Sequence, residues 1–525
     1  MKLKLLPFPE NPGYYERIVP DAGVREETME CDGWTRSYKI YVPSSWTGEK
    51  PVPLVISMHG GASHNADYRT TWPLVAEREG FVALFPQCIA EGETWNTWDT
   101  YTRKDGKPAE IPYLDTLIEA TIRKYNIDRE RIYIHGQSMG DSMTTWYAFE
   151  RGYLFAAAAP FSGHTPPSRF VGRDGEIITK PKYELPVIRT HGSEDMNLII
   201  GAKNIPTADP GKRASKAPAL TNVDPASITD AMRLQQIELY HLMHTKVWTE
   251  QNGCEKLPRL TLNGPYAVYR FPGNPCDFIY YTVQGGYHAT FLDMADYIWT
   301  YFFSGYRRAG ACADPASGDR VPQDASHSGR IVKVRPEKAF DEDKGAVALA
   351  DGSAWLYVDN QKLRMPEGTC RMLEGVPYVP VSALPLCLPG LEYEMLFEGE
   401  GAELYYGGDR VQIAKNHRAV VRNEEIVDIG ARVYLLDGLL YAPVGALADL
   451  LAGRKCAAGF GAAYINDRGG VMSYDLSYVI GRILGTVHGS TPLECLRQEL
   501  VLEGADVSGL EEKYGHWGAG RKMHE

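Results

Sequence analysis

The chain has 525 residues, of which 44% are hydrophobic and 11% aromatic, and its formal net charge at pH 7 is −12. A length well above about 300 residues exceeds what one hydrophobic core usually organises, so we expect two domains. The acidic balance, with no basic stripe, argues against nucleic acid as a partner, and no apolar run is long enough for a membrane span.

The chain opens with "MKLKLLPFPENPGYY", in which Pro7 and Pro9 interrupt the segment before a signal-peptide core. As written, the sequence predicts a cytoplasmic chain, whereas a trimmed sequence would leave a secreted or cell-surface protein open. The nine cysteines include no C-x-x-C pair and no Cys/His cluster at metal-ligand spacing, so we expect no metal and no cofactor. Cys254 and Cys276 flank a loop-rich stretch and are either a disulfide or two half-buried thiols.

Strand-like and helix-like segments alternate over the first 310 residues. The strand-like segments are apolar along their length, which is typical of parallel strands covered by helices on both faces. Leu114, Leu117, Ile118 and Ile122 recur at helical spacing, and "TFLDMADYIWTYFF" predicts an amphipathic helix. We therefore predict an α/β fold with a mostly parallel sheet in a three-layer sandwich. The strand-like segments are "YKIYVP", "PLVISMHG", "FVALFP", "RIYIHG", "PVIRTHG" and "FIYYTV".

The segment "IHGQSMGD", residues 134–141, fits the G-x-S-x-G pattern, in which a serine lies on a sharp turn between a strand and a helix. The residues before Ser138 are strand-like, and "DSMTTWYAFERG" after it is helix-like. Gly136 and Gly140 remove side chains where the strand and the helix approach each other. The pattern predicts Ser138 as the nucleophile of an enzyme, with a small residue in a tight turn as the alternative.

A serine nucleophile needs an imidazole to accept its proton and a carboxylate to orient that imidazole. Asp195 and His288 each follow a strand-like segment, and the carboxyl ends of parallel strands are where such sheets bind ligands. The order serine, acid, histidine is that of α/β-hydrolases. We predict Ser138 as nucleophile, His288 as general base and acid, and Asp195 as the residue that orients His288. Glu194 competes for the role of the acid, and the alternative for His288 is a histidine in a surface loop.

An oxyanion that forms during acyl transfer needs N–H donors already in place. We predict one donor at Met139, the residue after the nucleophile, and the other in the turn Gly60-Gly61-Ala62. Glycines that serve only a tight turn are the alternative. Their position at the end of a central strand favours the oxyanion hole.

Residues from about 35 to 305 resemble a branch of the α/β-hydrolase superfamily, the esterases that include polyhydroxybutyrate depolymerases and feruloyl and acetylxylan esterases. The resemblance implies a serine esterase that works through an acyl-enzyme intermediate. It places the triad at Ser138, Asp195 and His288, and so favours Asp195 over Glu194. The matching segments occur in the family's order and are "TRSYKIYVPSSW", "PLVISMHGGASHNADY", "EREGFVALFPQ", "TWNTW", "IDRERIYIHGQSMG", "FAAAAPFSG", "PVIRTHGSED", "WTEQNGC" and "GGYHATF".

Other residues of this region are assigned by the same resemblance or depart from it. Trp95 and Trp98 are predicted to line the substrate pocket, with ordinary core packing as the alternative. Asp141 stands where the family commonly has a glycine; it is expected either to cap the helix or to disfavour acidic substrates. The long stretch after Asp195, residues 197–230, is either a lid over the substrate or a disordered insertion.

The composition changes after Ala309, where "RAGACADPASGDRVPQDASHSGR" predicts a linker. Beyond it, "EGVPYVPVSALPLCL" from Glu374 is echoed 63 residues later by "DGLLYAPVGALADLL" from Asp437. The echo predicts two copies of one unit, each an acidic-Gly turn, a strand containing Tyr and Pro, and a short helix.

Residues 345–480 resemble the domain named after the N-terminal region of copper amine oxidases. The resemblance implies a smaller α+β module for attachment to a cell wall or polymer, substrate presentation or self-association. It does not imply copper, because His417 and His488 lie far apart and neither has an obvious partner. We predict a hydrolase domain over 1–310, a linker over 311–344, the accessory domain over 345–480 and a tail over 481–525.

The sequence thus predicts a serine carboxylic-ester hydrolase acting on short acyl or aryl esters of the acetyl, feruloyl or hydroxyalkanoate type. The alternatives are a serine peptidase of the same superfamily and a binding or scaffold protein that has kept the fold without turnover. The presence of all triad residue types and of both oxyanion glycines favours the enzyme. No propeller-like repeat precedes the hydrolase region, which disfavours an oligopeptidase.

Overall fold

The computed structural model describes residues 23–61, 71–89, 95, 110–163, 180–193, 244–284, 294–313, 325–334, 343 and 345–487. The chain divides into two compact units. The first comprises residues 1–256, 270–340 and 490–525, and the second comprises residues 257–269 and 341–489. Among the described residues, no helix has both the length and the apolar character needed to cross a bilayer.

The first unit is built on a sheet with the strand order β1-β2-β4-β3-β5-β6-β7-β10. The strands from β4 to β10 in this order pair in parallel, while β1 with β2 and β2 with β4 are antiparallel. The mostly parallel sheet is thereby confirmed. The strands of the first unit are β1 Val24–Cys31, β2 Trp34–Tyr41, β3 Val52–Met58, β4 Val82–Pro86, β5 Ile127–Gln137, β6 Ala157–Phe161, β7 Val187–Gly192, β10 Phe278–Val283, β11 Tyr306–Ala309 and β12 Arg330–Lys333. β8 Arg259–Asn263 and the first residues of β9 Tyr266–Phe271 belong to the second unit.

The helices of the first unit form where the sequence has amphipathic spacing. In the helix Glu110–Tyr125, the residues Leu114, Leu117, Ile118 and Ile122 are all buried, as the spacing predicts. The helix after β5 begins one residue beyond the carboxyl end of this central strand. It packs against β5 and β6. The helices are α1 Trp72–Glu79, α2 Glu110–Tyr125, α3 Met139–Arg151 and α4 Met294–Tyr301.

Six of the strands up to β12 lie outside the strand-like segments of the sequence, namely β1, β6, β8, β9, β11 and β12; β6 and β1 show the reason. The segment of β6, "AAAPF", is rich in alanine, which by itself favours helix; it is a strand because it lies buried between β5 and β7. β1 alternates in exposure and joins β2 through Asp32 and Gly33, whose φ angles of 53° and 77° suit a tight hairpin turn. Both strands depend on pairing with neighbours, which a local pattern does not reveal.

His135 on β5 is buried at the centre of this sheet. Its Nδ1 lies 3.0 Å from the Ser57 hydroxyl, and the rings of Trp72 and Phe161 pack near the imidazole. Burial lowers the pKa of His135 to about 3, so the side chain is neutral in the folded protein. The unfolded chain, with an ordinary histidine pKa of about 6.5, binds more protons between these two values. The stability that His135 contributes is therefore complete above about pH 6.5 and is lost as the pH falls.

On account of His135, we expect the free energy of unfolding to be roughly 3 kcal/mol lower at pH 4 than at pH 7, because on acidification the unfolded state binds a proton that the folded state does not bind. Urea unfolding at several pH values measures this. A His135→Gln variant should be less stable at pH 7 but should lose less stability on acidification. The control is His417→Gln at an exposed histidine, which checks that a change in slope belongs to the buried position. Equal slopes for wild type and His135→Gln would contradict the assignment.

The second unit consists of antiparallel sheets around one apolar core. Its strand orders are β15-β14-β13-β26-β25, β16-β17-β24-β23 and β18-β19-β20-β21-β22. Its strands are β13 Val347–Ala350, β14 Trp355–Val358, β15 Gln361–Arg364, β16 Arg371–Leu373, β17 Val376–Pro380, β18 Glu392–Leu396, β19 Gly401–Tyr406, β20 Asp409–Ala414, β21 Ala419–Arg422, β22 Glu425–Asp428, β23 Tyr434–Leu436, β24 Leu439–Pro443, β25 Lys455–Gly459 and β26 Ala462–Asn466. Its helices are α5 Leu384–Cys387, α6 Val444–Ala452 and α7 Tyr474–Leu484.

The two copies of the sequence repeat pair with each other. Each copy has the acidic-Gly turn in left-handed backbone conformation, with φ of 51° and 80° at Glu374 and Gly375 and of 52° and 79° at Asp437 and Gly438. A strand and a helical segment follow in both copies. Strands β17 and β24 are antiparallel neighbours, with Val379 opposite Ala442. The local elements are those the repeat predicts, and the copies are related by a local two-fold axis.

Some residues of the predicted linker, 311–344, form strand pairs or hydrogen bonds within one of the two units. In the first unit, β12 pairs with β11. In the second unit, the buried Asp343 accepts hydrogen bonds from Leu262 N at 2.8 Å and from Tyr464 Oη and Asn466 Nδ2 at 3.0 Å. These bonds hold the segment 257–269 within that unit. The domain boundaries drawn from composition stay a prediction.

Candidate active site

Ser138 occupies the turn between β5 and α3 in a strained backbone conformation. Its φ of 57° and ψ of −117° lie outside the regions that a residue with a Cβ normally adopts. The turn is held by two backbone bonds, from Ser138 N to Phe161 O at 2.9 Å and from Ser142 N to Ser138 O at 3.3 Å. The strain persists because a central strand and a packed helix fix both ends of the turn. This geometry is typical of the nucleophile in G-x-S-x-G turns.

The two glycines of the pattern permit the close approach of strand and helix. A Cβ on Gly136 would lie 2.2 Å from Gly140 O, and a Cβ on Gly140 would lie 2.3 Å from Met58 O. Neither distance leaves room for a side chain, and both neighbours are backbone atoms that cannot move aside. The steric role predicted for Gly136 and Gly140 is confirmed.

The turn after β3 lies against Ser138. A Cβ on Gly60 would be 3.3 Å from Ser138 Cβ and 3.9 Å from Ser138 Oγ. Gly61 follows it directly, and Met139 is the first residue of α3. The structure therefore brings together Ser138, Met139 and the Gly60-Gly61 segment, while their roles in an oxyanion hole stay a prediction.

Four of the predicted site residues lie outside the described residues: Ala62, Trp98, Asp195 and His288. The strands that precede the last two are described. β7 ends at Gly192 and β10 at Val283, and these two residues are partners in a parallel pair. The chain thus leaves neighbouring strands at the same edge of the sheet shortly before Asp195 and His288. Ser193 N also donates to Val283 O at 2.9 Å.

Trp95 is buried beside the same turn, with 2% of its surface exposed. Its indole Nε1 donates to His59 O at 2.8 Å, and its ring packs against the imidazole of His59 with centroids 4.8 Å apart. Trp95 is therefore part of the packing that supports the Gly60 turn. A contact between Trp95 and a substrate stays a prediction.

Asp141, in the first turn of α3, is buried in an ion pair that sequence analysis did not foresee. Its Oδ2 lies 3.0 Å from an Arg189 guanidinium nitrogen and accepts a bond from Gly163 N at 2.9 Å, and its Oδ1 accepts from the Thr145 hydroxyl at 3.2 Å. Arg189 also donates to Gly163 O and contacts His244 Nδ1 at 3.3 Å.

The Asp141–Arg189 pair joins α3 to β7, because Arg189 is a residue of β7. Burial raises the pKa of the Asp141 carboxyl, while Arg189 and the bonds from Gly163 and Thr145 act in the opposite direction. The side chain of Asp141 is fully buried, so its bonds are structural and it does not present a charge to substrates in solvent. The segment "PVIRTHG" indicates a buried ion pair, because an arginine inside an apolar strand requires a buried partner.

The cysteines flagged in the sequence are neighbouring thiols in the structure. Cys254 Sγ lies 3.4 Å from Cys276 O, and both residues are free cysteines. Burial raises the pKa of Cys254 to about 12 and raises that of Cys276 further. Within the part of the chain that the structure describes, no group of His, Cys, Asp or Glu has an arrangement that could hold a metal ion.

Comparison with known proteins relates the first part of the chain to esterases. Residues 36–168 match the model of the family described as "Esterase PHB depolymerase". A bifunctional acetylxylan esterase/xylanase from Neocallimastix patriciarum is 31% identical over 167 residues, which are 31% of this chain and 22% of that protein. A probable acetylxylan esterase A from Aspergillus terreus is 28% identical over 158 residues, 29% of this chain and 51% of that protein.

A feruloyl esterase B from Neurospora crassa is 29% identical over 125 residues, 23% of this chain and 42% of that protein. The chain thus spans about half or less of the length of these relatives. Among solved structures, an acetyl xylan esterase from Aspergillus awamori is 18% identical and is covered over 99% of its length by 53% of this chain, with a TM-score of 0.35. That score is too low to carry an argument. The family match includes Gly60 and Ser138 and ends before Asp195.

Proposed function

We propose that this protein is a carboxylic-ester hydrolase in which Ser138 is the nucleophile. The observation that carries the proposal is the strained turn at Ser138 with Gly60 against its side chain, inside the region that matches an esterase family. A serine on a strained turn between a strand and a helix is typical of the nucleophile in acyl transfer, and the match of residues 36–168 to an esterase family supports the same chemistry.

In the proposed reaction, Ser138 Oγ attacks the carbonyl carbon of the ester while His288 accepts the hydroxyl proton. The tetrahedral intermediate collapses to an acyl-enzyme, and His288 donates the proton to the leaving alcohol; water then reverses these steps and releases the acid. Asp195 orients His288. The parallel pairing of Gly192 with Val283 supports this triad, because both strands end at the same edge of the sheet a few residues before Asp195 and His288.

The proposed substrates are short acyl or aryl esters of the acetyl, feruloyl or hydroxyalkanoate type. The names of the matched relatives support this class. The proposed oxyanion donors are Met139 and the turn Gly60-Gly61-Ala62, and Trp95 and Trp98 are proposed to border the substrate.

The test is a comparison of ester and amide substrates with the purified full chain. We expect hydrolysis of p-nitrophenyl acetate and of methyl ferulate, release of acetate from acetylated xylan, and no release of p-nitroaniline from peptide anilides. A fluorophosphonate should label the wild type stoichiometrically at Ser138. Cleavage of the anilides in preference to the esters would indicate a peptidase. Absence of both turnover and labelling would indicate a scaffold protein.

The activity is expected to decrease on acidification because His288 must be neutral to accept the Ser138 proton. On p-nitrophenyl acetate, kcat/KM should fall about tenfold for each pH unit below about 6 to 7. The rate is measured from pH 4.5 to pH 8.5 after confirming by circular dichroism that the protein stays folded. A flat profile between pH 5 and pH 8 would contradict the role given to His288.

For the second unit we propose an accessory role in attachment, substrate presentation or self-association, as in modules of the copper amine oxidase N-terminal type. The symmetric pairing of its two repeat copies supports a repeat-built module of this kind. Sedimentation of the full chain over a range of concentrations tests self-association, and co-sedimentation with insoluble xylan tests attachment to a polymer.

A further inference from the structure

A cavity of about 770 Å³ lies in the first unit at the amino ends of β7 and β10. Tyr183 and Glu184 in its wall precede β7, and Asn274 precedes β10. The strands β5, β6, β7 and β10 are all parallel, so this is the edge of the sheet opposite to the one where Ser138 follows β5. The cavity is therefore separate from the candidate active site, and its volume is typical of sites for small molecules.

Arg308, a residue of β11, places a buried positive charge in the wall of this cavity. Only 4% of its surface is exposed. Its Nε donates to Phe155 O at 2.7 Å, and its Nη2 donates to Gly152 O at 2.9 Å and to Glu184 O at 3.1 Å. These three bonds fix the plane of the guanidinium. Burial lowers the pKa of Arg308 to about 10, so the group is charged at pH 7.

Two N–H donors of Arg308 remain after these bonds. A guanidinium has one N–H donor at Nε and two at each terminal nitrogen. The three carbonyls take up the donor at Nε and both donors at Nη2, and among the described residues Nη1 has no hydrogen-bond partner. A buried charge with donors left over is costly unless an anion approaches it. The cavity thus offers an anion two N–H groups in a fixed plane.

Two of the four basic residues in the cavity wall have acidic partners. Lys182 forms an ion pair with Glu150. Lys333 Nζ contacts both carboxylate oxygens of Asp277, at 3.0 Å and 3.1 Å. These two pairs carry no net charge, so the charge of the cavity is set by the other residues that line it.

The remaining charges in the wall are those of Arg308, Arg330 and Glu184. Two positive charges and one negative charge leave a net charge of +1, in a chain whose formal net charge is −12. A singly charged carboxylate neutralises this charge, whereas a doubly charged phosphate beside Glu184 leaves an excess of negative charge. Charge complementarity therefore favours a carboxylate.

Other side chains of the wall supply neutral groups that bind hydroxyls. Gln251 and Asn274 carry amides, and Ser328 carries a hydroxyl. Tyr183 is half-buried, and its ring is held edge-on by Tyr153 with centroids 5.1 Å apart. An aromatic ring beside polar groups offers both an apolar surface and hydrogen bonds. This combination suits a carboxylate that also carries hydroxyl groups.

We propose that this cavity binds a sugar acid, with its carboxylate on Nη1 of Arg308 and its hydroxyl groups on the neutral polar side chains of the wall. The proposal does not depend on ester hydrolysis, because the cavity and Ser138 lie at opposite edges of the sheet. A free sugar acid and a sugar acid at the end of an oligosaccharide share this chemistry, and the experiment distinguishes them.

Isothermal titration calorimetry of the purified full chain with sodium D-glucuronate tests the site. We expect D-glucose, which lacks the carboxylate, to bind at least about tenfold more weakly than glucuronate, because hydrogen bonds to charged groups are the stronger ones. Glucose 6-phosphate should also bind more weakly than glucuronate. A disaccharide that ends in glucuronate and binds at least about tenfold more tightly assigns the site to oligosaccharides, and equal or weaker binding assigns it to free sugar acids.

Three variants test whether glucuronate binds in this cavity. Arg308→Lys keeps the charge but removes Nη1, and should raise Kd at least about tenfold. Arg330→Glu should raise Kd about fivefold and Glu184→Gln should lower it about threefold, because both substitutions change the charge of the wall at exposed positions. The control matched to Arg330→Glu is Arg364→Glu, at an exposed arginine of the second unit, which should keep the wild-type Kd.

No binding of glucuronate up to about 50 mM overturns the proposal, and so does D-glucose that binds as tightly as glucuronate. Glucose 6-phosphate that binds as tightly as glucuronate overturns the assignment to a carboxylate. If Arg308→Lys does not fold, the two exposed variants decide, and wild-type Kd values in both contradict the location.

The proposal and the proposed function fail separately. The rate of Arg330→Glu on p-nitrophenyl acetate should stay within about twofold of the wild-type rate. A wild type without esterase activity overturns the proposed function and leaves the binding of glucuronate as the test of this cavity.

Discussion

Replacement of Ser138 by alanine is expected to lower kcat on p-nitrophenyl acetate by about four to six orders of magnitude, because the proposed nucleophile is lost while the rest of the site remains. Alanine lacks the Oγ that is proposed to attack the ester and leaves the backbone of the turn with the same Cβ. The thermal stability should therefore stay the same or increase slightly, since a strained polar residue is replaced by a smaller apolar one. The measurement is a burst and steady-state assay of purified wild type and variant, together with thermal unfolding.

The matched control for this variant is Ser142→Ala, in the first turns of the same helix. Ser142 N contacts Ser138 O through the backbone, which the substitution leaves in place, so kcat should remain within about threefold of wild type. Fluorophosphonate labelling should persist in Ser142→Ala and disappear in Ser138→Ala. Undiminished turnover in Ser138→Ala would mean that the nucleophile is another residue and would remove the basis of the proposed function.

Replacement of Asp141 by asparagine is expected to lower the free energy of unfolding by about 3–5 kcal/mol, because it removes a carboxylate that pairs with the buried guanidinium of Arg189. Both side chains are almost fully excluded from solvent, so water does not replace the lost interaction. The bond from Gly163 N to Asp141 is weakened at the same time. Urea unfolding of the full chain, followed by tryptophan fluorescence, measures the change.

The exposed ion pair Arg78–Asp296, with side chains 50% and 48% exposed, provides the control, and Asp296→Asn should cost less than about 1 kcal/mol. The double variant Asp141→Leu with Arg189→Met should be more stable than the sum of its single variants predicts, because it removes both buried charges together. Additive effects, or an Asp141→Asn variant as stable as Asp296→Asn, would show that the pair does not couple α3 to β7.

Local patterns in the sequence were sufficient for much of the first unit. The apolar runs that became β3, β4, β5, β7 and β10 are confirmed as strands of a mostly parallel sheet, because a strand buried on both faces must be apolar along its length. The G-x-S-x-G pattern correctly indicated the strand-turn-helix around Ser138, since only glycine fits where Gly136 and Gly140 meet backbone atoms. The echo between residues 374 and 437 likewise indicated the turn, the strand and the helical segment of each copy. Except at Gly140, which meets Met58 O of β3, the cause of the structure in these cases lies within a few residues of the chain.

The remaining features depend on contacts between residues far apart in the sequence. The partner of Asp141 is Arg189 on β7, and the buried imidazole of His59 accepts a hydrogen bond from the backbone nitrogen of Cys88, which follows another strand. The alanine-rich β6 is a strand because of the strands that enclose it. The low pKa of His135 results from burial of the imidazole by residues distant in the sequence. Periodicity and spacing report which residues are apolar and which chemistry they offer. The charge, tautomer and orientation of a buried group are set by the atoms that replace water around it, and only the tertiary structure brings those atoms together.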